Sequence, residues 1–188
     1  MVFFAKSPRH LCYKQAAVIA QHAKKQVEPG PKRVALTVNM DAAAMASMIS
    51  ITDPDILQLH GDETPTQAMR LKACHGLPII KAIRVGCADD LTACEEWDDV
   101  ADWLLFDAKG GPGGLPGGTG HKFDWTVLAN HVGKTKWMLA GGLSVENIGH
   151  AVTVTNAKAV DVSSGVEVVP GEKDPRLIHA FVSAAQIG

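Results

Sequence analysis

The chain has 188 residues, of which 46% are hydrophobic and 20% charged, and its formal net charge is −2. That length suits one domain with a sizeable core, so residues 1–188 are read as a single domain. The charge balance lacks the basic surplus of a nucleic-acid binder, and no apolar run reaches membrane-spanning length, so neither partner is expected.

In chain order, β-branched and apolar runs predict strands over Val2–Ala5, Arg33–Asn39, Ile56–Gly61, Ile79–Val85, Trp103–Ala108, Trp137–Gly142 and Ala159–Gly165. Helical patterns lie between and after them, near 11–23, 41–50, 65–75, 89–97, 125–132, 145–154 and 175–185. Alternation of this kind, with nearly continuous apolar strands, predicts a parallel sheet covered by helices. Thr64-Pro65 and Asp174-Pro175 each read as an N-cap followed by an N1 proline, and Gly76 follows its helix as a C′ residue. Asp124 and Ser144 are read as caps of the helices that follow them. Seven strand–helix units leave two architectures: an open doubly wound sheet, or a closed barrel without its first strand and helix.

The four cysteines, Cys12, Cys74, Cys87 and Cys94, form no C-x-x-C pair and complete no zinc pattern with histidine, so no metal is expected. Scattered thiols point to a reducing compartment. Met1-Val2-Phe3-Phe4-Ala5 is too short for a signal sequence and meets Lys6 at once, so the cytoplasm is the expected location.

Two turns carry the chemistry. Val160-Asp161-Val162-Ser163-Ser164-Gly165 runs from an apolar strand into small residues that leave backbone amides uncovered. Leu139-Ala140-Gly141-Gly142-Leu143 does the same one strand earlier. Paired glycine-permitted turns after the last two strands suit a phosphate. Asp107 ends the strand Trp103-Leu104-Leu105-Phe106-Asp107, where barrel active sites form; its apolar approach disfavours ionisation, as a general acid requires. A helix cap or surface carboxylate is the alternative for Asp107. The glycine-rich run from Gly110 to Gly120 reads as a mobile loop beside the site rather than a linker, and it lacks the Gly-Lys-Ser/Thr of a nucleotide P-loop. Gln58 and His60 share one strand face, as do Asp161 and Ser163, and both pairs read as buried polar faces lining a cavity. Arg9, just past the first strand, can fork onto a substrate carboxylate or stand as an ordinary exposed arginine. The remaining histidines read as surface residues.

These segments, with Lys81-Ala82-Ile83-Arg84-Val85 and Gly117-Gly118-Thr119-Gly120, together resemble the phosphoribosylanthranilate isomerase family of tryptophan biosynthesis. The resemblance covers essentially the whole chain and implies a phosphate-binding (β/α)8 TIM barrel missing its first β/α unit, with about seven parallel strands present. It implies an Amadori rearrangement of N-(5′-phosphoribosyl)anthranilate to the 1-deoxyribulose phosphate, with no metal or organic cofactor. By resemblance Asp107 is the general acid and Arg9 holds the anthranilate carboxylate. Gly141, Gly142, Ser163, Ser164 and Gly165 form the phosphate cradle, and His60 and Asp161 line the site. The family's general base is a cysteine in an opening Lys-Ile-Cys-Gly strand that this sequence does not contain, so reduced turnover and self-association through open barrel edges are expected. Two other readings stay open: a non-catalytic phosphate-binding relative, and another sugar-phosphate isomerase or aldolase-type barrel.

Overall fold

Short apolar strands pair in parallel in both halves of the chain. The computed structural model describes residues 1–26, 30–108, 124–129 and 131–186. It divides into two units, Met1–Lys81 and Ala82–Gly188.

The first unit runs β1 (Val2–Phe3), α1 (Tyr13–Gln26), β2 (Val34–Thr37), α2 (Ala42–Thr52), β3 (Ile56–Leu59), α3 (Pro65–His75) and the start of β4 (Ile79–Val85). Val2 pairs with Leu36, Leu36 with Gln58, and Gln58 with Ile80, so the strands stand in chain order and in parallel. Leu57 and Leu59 are fully buried, with Met45 and Met48 one helical turn apart on α2. The expected capping is present: Thr64 and Gln67 form a reciprocal capping box around Pro65, and Gly76 closes α3 in the left-handed conformation at φ 66°. Asp41 caps α2 by accepting from the Ala44 N–H at 2.9 Å. On the side of β1 away from β2, the Leu11 N–H donates to the Val2 carbonyl at 2.9 Å. This edge, expected to be bare, is therefore partly covered by the chain itself.

The second unit contains β5 (Trp103–Ala108), β6 (Trp137–Leu139), α4 (Ile148–Thr155), β7 (Glu167–Val169), β8 (Glu172–Lys173) and α5 (Pro175–Ala185). β5 and β6 pair in parallel, Leu104 with Trp137 through Phe106 with Leu139, and these strands bury Leu104, Leu105, Phe106 and Leu139. Two expected helices take the tighter 3₁₀ form, Ala88–Trp97 and Trp125–Leu128. In the first, the inward residues Leu91, Cys94 and Trp97 recur every third position, which matches three residues per turn. In the second, Asp124 accepts from the Thr126 N–H at 3.1 Å, and i→i+3 bonds leave a single turn. Cys94 is buried and its thiol is pushed up to about 11, chiefly by burial and then by Asp98 and Glu95, so it is protonated at neutral pH.

The expected seventh strand, Ala159–Gly165, is not a strand. It touches its neighbours through isolated parallel bridges, Val160 with Leu139 and Gly165 with Ser144. After Asp161 the backbone turns, with the Val166 N–H bonded to Ser163 O and the Glu167 N–H to Ser164 O, and those bonds replace a ladder. An antiparallel hairpin follows, unforeseen in sequence, pairing Glu167 with Lys173 and Val169 with Glu172.

His131 is also not a surface residue. It packs edge-on to Phe106, with ring centroids 4.9 Å apart, and 5.9 Å from Trp137. Its Nε2 is buried and has no hydrogen-bond partner among the described residues. Burial lowers its pKa below the usual histidine value, against a smaller opposing pull from Asp98. As pH falls below about 6.5 the unfolded chain takes up the proton before the folded one, so stability present above that pH is lost on acidification. Urea midpoints at several pH values should show this loss between neutrality and the depressed folded pKa. His131→Phe should flatten that part of the profile, and an unchanged slope would contradict the assignment.

Candidate active site

Three strand-end segments of the second unit meet. Asp107 is the penultimate residue of β5, and only 4% of it is exposed. The Ala140 N–H bonds to Phe106 O at 2.8 Å, which carries the chain from β6 directly alongside Asp107. Gly141 follows at φ 85°, and a Cβ there would stand 2.4 Å from the Ala108 nitrogen. The Gly141 turn therefore lies backbone to backbone on the strand end that bears the carboxyl group, and no side chain fits between them. At Gly165 a Cβ would stand 1.9 Å from Leu143 O, so the third segment lies just as closely on the second. Asp107, the Gly141–Gly142 turn and the Ser163–Gly165 turn thus occupy adjoining strand ends.

Among the described residues, the N–H groups of Gly141, Gly142, Ser163 and Ser164 meet no acceptor. Asn147 fixes the middle turn from below. Its side-chain NH₂ donates to Gly142 O at 2.8 Å and its side-chain oxygen accepts from the Ser144 N–H at 2.8 Å. With Asn147 so engaged, α4 starts at Ile148 rather than near 145, and Ser144 bridges to Gly165 instead of capping with its hydroxyl. Asn147 escaped the sequence reading because its two partners are backbone groups three and five residues back, a local pattern without a distinctive motif.

Asp161 departs from expectation. It is exposed rather than set in a buried polar face, and its N–H bonds to Leu139 O at 2.7 Å. The segment pairs with β6 through its backbone at Val160 and Asp161, and it turns at Ser163.

In the first unit, Arg9 is half-buried in the turn after β1, with its N–H on Ser7 Oγ at 3.1 Å. His60 and Gln58 are each 7% exposed and share the expected strand face, with Gln58 Nε2 3.1 Å from His60 Nδ1. Beside them lies a buried ion pair missed in sequence. Lys81 Nζ donates to Glu63 Oε2 at 3.1 Å and to Gly61 O at 2.7 Å. Glu63 also accepts from the N–H groups of Gly61 and Asn39, at 2.9 and 2.7 Å. A lysine inside Ile79-Ile80-Lys81-Ala82-Ile83 was the available signal, since a charge in an apolar strand requires a partner. The glycine-rich run, Gly117-Gly118-Thr119-Gly120 included, lies outside the described residues.

Comparison with known proteins sets this geometry in context. The family model described as N-(5′-phosphoribosyl)anthranilate (PRA) isomerase matches residues 3–184. The chain is 50% identical over 188 residues to the N-(5′-phosphoribosyl)anthranilate isomerase of Parvibaculum lavamentivorans, covering 98% of this chain and 86% of the relative. It is 47% identical to the enzyme of the same name from Beijerinckia indica, covering 98% of this chain and 82% of the relative. Among solved structures it resembles phosphoribosyl anthranilate isomerase from Thermotoga maritima, at 30% identity and a TM-score of 0.85, covering 100% of this chain and 87% of that one. It also resembles a phosphoribosyl anthranilate isomerase in complex with reduced 1-(o-carboxyphenylamino)-1-deoxyribulose 5-phosphate, at 28% identity and a TM-score of 0.81, covering 100% and 86%. The parallel α/β fold and these likenesses define an isomerase of the TIM-barrel class. The chain belongs to the N-(5′-phosphoribosyl)anthranilate isomerase family.

Proposed function

We propose that the chain catalyses the Amadori rearrangement of N-(5′-phosphoribosyl)anthranilate, with the turns at Gly141–Gly142 and Ser163–Gly165 holding the phosphate and Asp107 acting as general acid. The single observation that carries this reading is the contact of the Gly141 turn with the strand end bearing Asp107. Backbone N–H groups with no acceptor among the described residues are suited to phosphate oxygens. A buried carboxyl group on the adjoining strand is suited to protonating the ribose ring oxygen, which opens the ring as the aniline nitrogen forms an iminium. Water, in place of the cysteine base that this sequence does not contain, takes the C2′ proton to give an enolamine, and its tautomer is the 1-amino-1-deoxyketose. The proton that Asp107 gives up is regained over the cycle, so the rearrangement is redox-neutral overall.

Arg9 is proposed to fork onto the anthranilate carboxylate, and His60 and Asp161 to line the site. Cys94, protonated at neutral pH, is unsuited to be the base that takes the C2′ proton. No helix among the described residues is long and apolar enough to cross a membrane. The cytoplasm is the proposed compartment, in keeping with free cysteines at positions 12, 74, 87 and 94. Self-association through sheet edges belongs to the same proposal.

The test is incubation of the purified chain with N-(5′-phosphoribosyl)anthranilate while the ketose product is followed by chromatography. Product formation that inorganic phosphate inhibits competitively is the expected result. Phosphate binding without product would favour the non-catalytic reading, and turnover of ribulose or glycerol phosphates alone would favour another sugar-phosphate enzyme.

A further inference from the structure

Asn147 holds the N-cap position of α4 but does not cap it, because its side chain makes no hydrogen bond to the first turn of the helix. An asparagine at that position ordinarily accepts from the second or third N–H of the helix, which contributes about 1 kcal/mol. Here the side chain turns back to the Gly141–Gly142 turn, with its NH₂ on Gly142 O and its oxygen on the Ser144 N–H, both at 2.8 Å. A carbonyl accepts and an N–H donates, so these two bonds fix which end of the amide faces which group. The Asn147 backbone is itself tied down. Its N–H donates to Ser144 O at 3.3 Å, and its carbonyl accepts from the Ala151 N–H at 2.9 Å.

The two side-chain bonds orient two consecutive peptide units. In a planar trans peptide the C=O and the N–H that follows it point in opposite directions. Gly142 O points at Asn147, so the Leu143 N–H points away from it. The Ser144 N–H points at Asn147, so Leu143 O points away, and it is this oxygen that Gly165 lies against. The Leu143 N–H meets no acceptor among the described residues, although Leu143 is 3% exposed. A poorly solvated donor left unpaired costs about 1–3 kcal/mol, and a ligand oxygen would remove that cost. The Ser163–Gly165 turn repeats the device. Lys173 Nζ donates to Ser163 O at 2.8 Å, and the Ser164 N–H of the same peptide unit meets no acceptor among the described residues. On the reading that these turns hold the substrate phosphate, we propose that the Leu143 N–H is a further donor to that phosphate and that Asn147 is the positioning residue that aims it. Asn147 acts through the peptide unit and does not grip the phosphate.

The test uses the full chain and inorganic phosphate as the probe, titrated calorimetrically. The parent should bind phosphate saturably. Replacing Leu143 by its α-hydroxy analogue turns the peptide bond into an ester, which deletes the N–H and keeps the side chain. The ester should bind phosphate about tenfold more weakly, the worth of one hydrogen bond to a charged group. Asn147→Ala should show a loss of about the same size. In the ester background Asn147→Ala should add less than about threefold, because the donor it aims is already gone. A residue that merely held the turn together would weaken binding by the same factor in both backgrounds. Losses that multiply to about a hundredfold therefore overturn the proposal. Parental affinity in either single variant overturns it as well. Should Asn147→Ala fail to fold by circular dichroism, the ester carries the test alone, and an affinity within about twofold of the parent overturns the proposal. A parent that binds no phosphate overturns the cradle reading and this proposal with it, whereas a binding parent with multiplying losses overturns this proposal and leaves the cradle standing.

Discussion

Asp107→Asn is expected to lower turnover of N-(5′-phosphoribosyl)anthranilate by about 10²–10⁴-fold while leaving inorganic phosphate affinity within about twofold of the parent. The substitution keeps the shape of a side chain that is 4% exposed, so packing at the end of β5 is retained. What it removes is the transferable proton. The phosphate turns are built of backbone groups at Gly141–Gly142 and Ser163–Gly165, and Gly141 touches the backbone of Ala108 rather than the Asp107 side chain. Binding and proton donation should therefore separate cleanly. Rate measurements at saturating substrate, paired with phosphate titrations, decide the matter. Turnover within about tenfold of the parent would move the acid role to another group, and a parallel collapse of phosphate affinity would make Asp107 a structural support of the cradle.

Lys81→Met should destabilise the protein by about 3–5 kcal/mol, read from urea unfolding with the slope held in common. Two pairs in the structure show why the site matters more than the pairing. Lys134 and Asp99 are 2.8 Å apart, but their side chains are 66% and 78% exposed, and such a pair contributes about 0–1 kcal/mol. Lys81 and Glu63 are 3.1 Å apart with side chains 5% and 8% exposed. Losing the lysine leaves a carboxylate that water reaches poorly and that, among the described residues, keeps the Asn39 and Gly61 N–H groups. Those two bonds place the expected loss toward the lower end of the range. Adding Glu63→Gln to Lys81→Met should recover part of it, because the stranded charge disappears. A loss below about 1 kcal/mol for Lys81→Met would show that water already serves this site.

The two strands whose ends could be read to the residue are Ile79–Val85 and Trp103–Ala108. Both are buried almost throughout, so burial alone defines them, and the residues that follow break the apolar run. The proline-led caps of α3 and α5 were equally clear, because Thr64-Pro65 and Asp174-Pro175 act within one turn of chain. Ala159–Gly165 misled because Val160 and Val162 carry strand propensity, whereas the Ser163 and Ser164 carbonyls are taken by turn bonds that propensity does not register. The same holds for the 3₁₀ segment Ala88–Trp97, where inward positions at a spacing of three look helical until the turn is known to be tighter. At the candidate site, Asp107 and the glycine turns stood out as residue types that are unusual at strand ends. Asn147, Glu63 and Lys173 did not, since each acts on backbone atoms that only the folded chain brings within reach.

The contact of Gly165 with Leu143 has an asymmetric consequence for sequence change. The glycine meets only the main chain of its neighbour, so the demand falls wholly on position 165. In a saturation library, substitutions of Leu143 should be sorted by the pocket its own side chain fills, independently of this contact. Position 165 should tolerate almost nothing, and a second change at Leu143 should not rescue it, because every replacement there retains the same carbonyl oxygen.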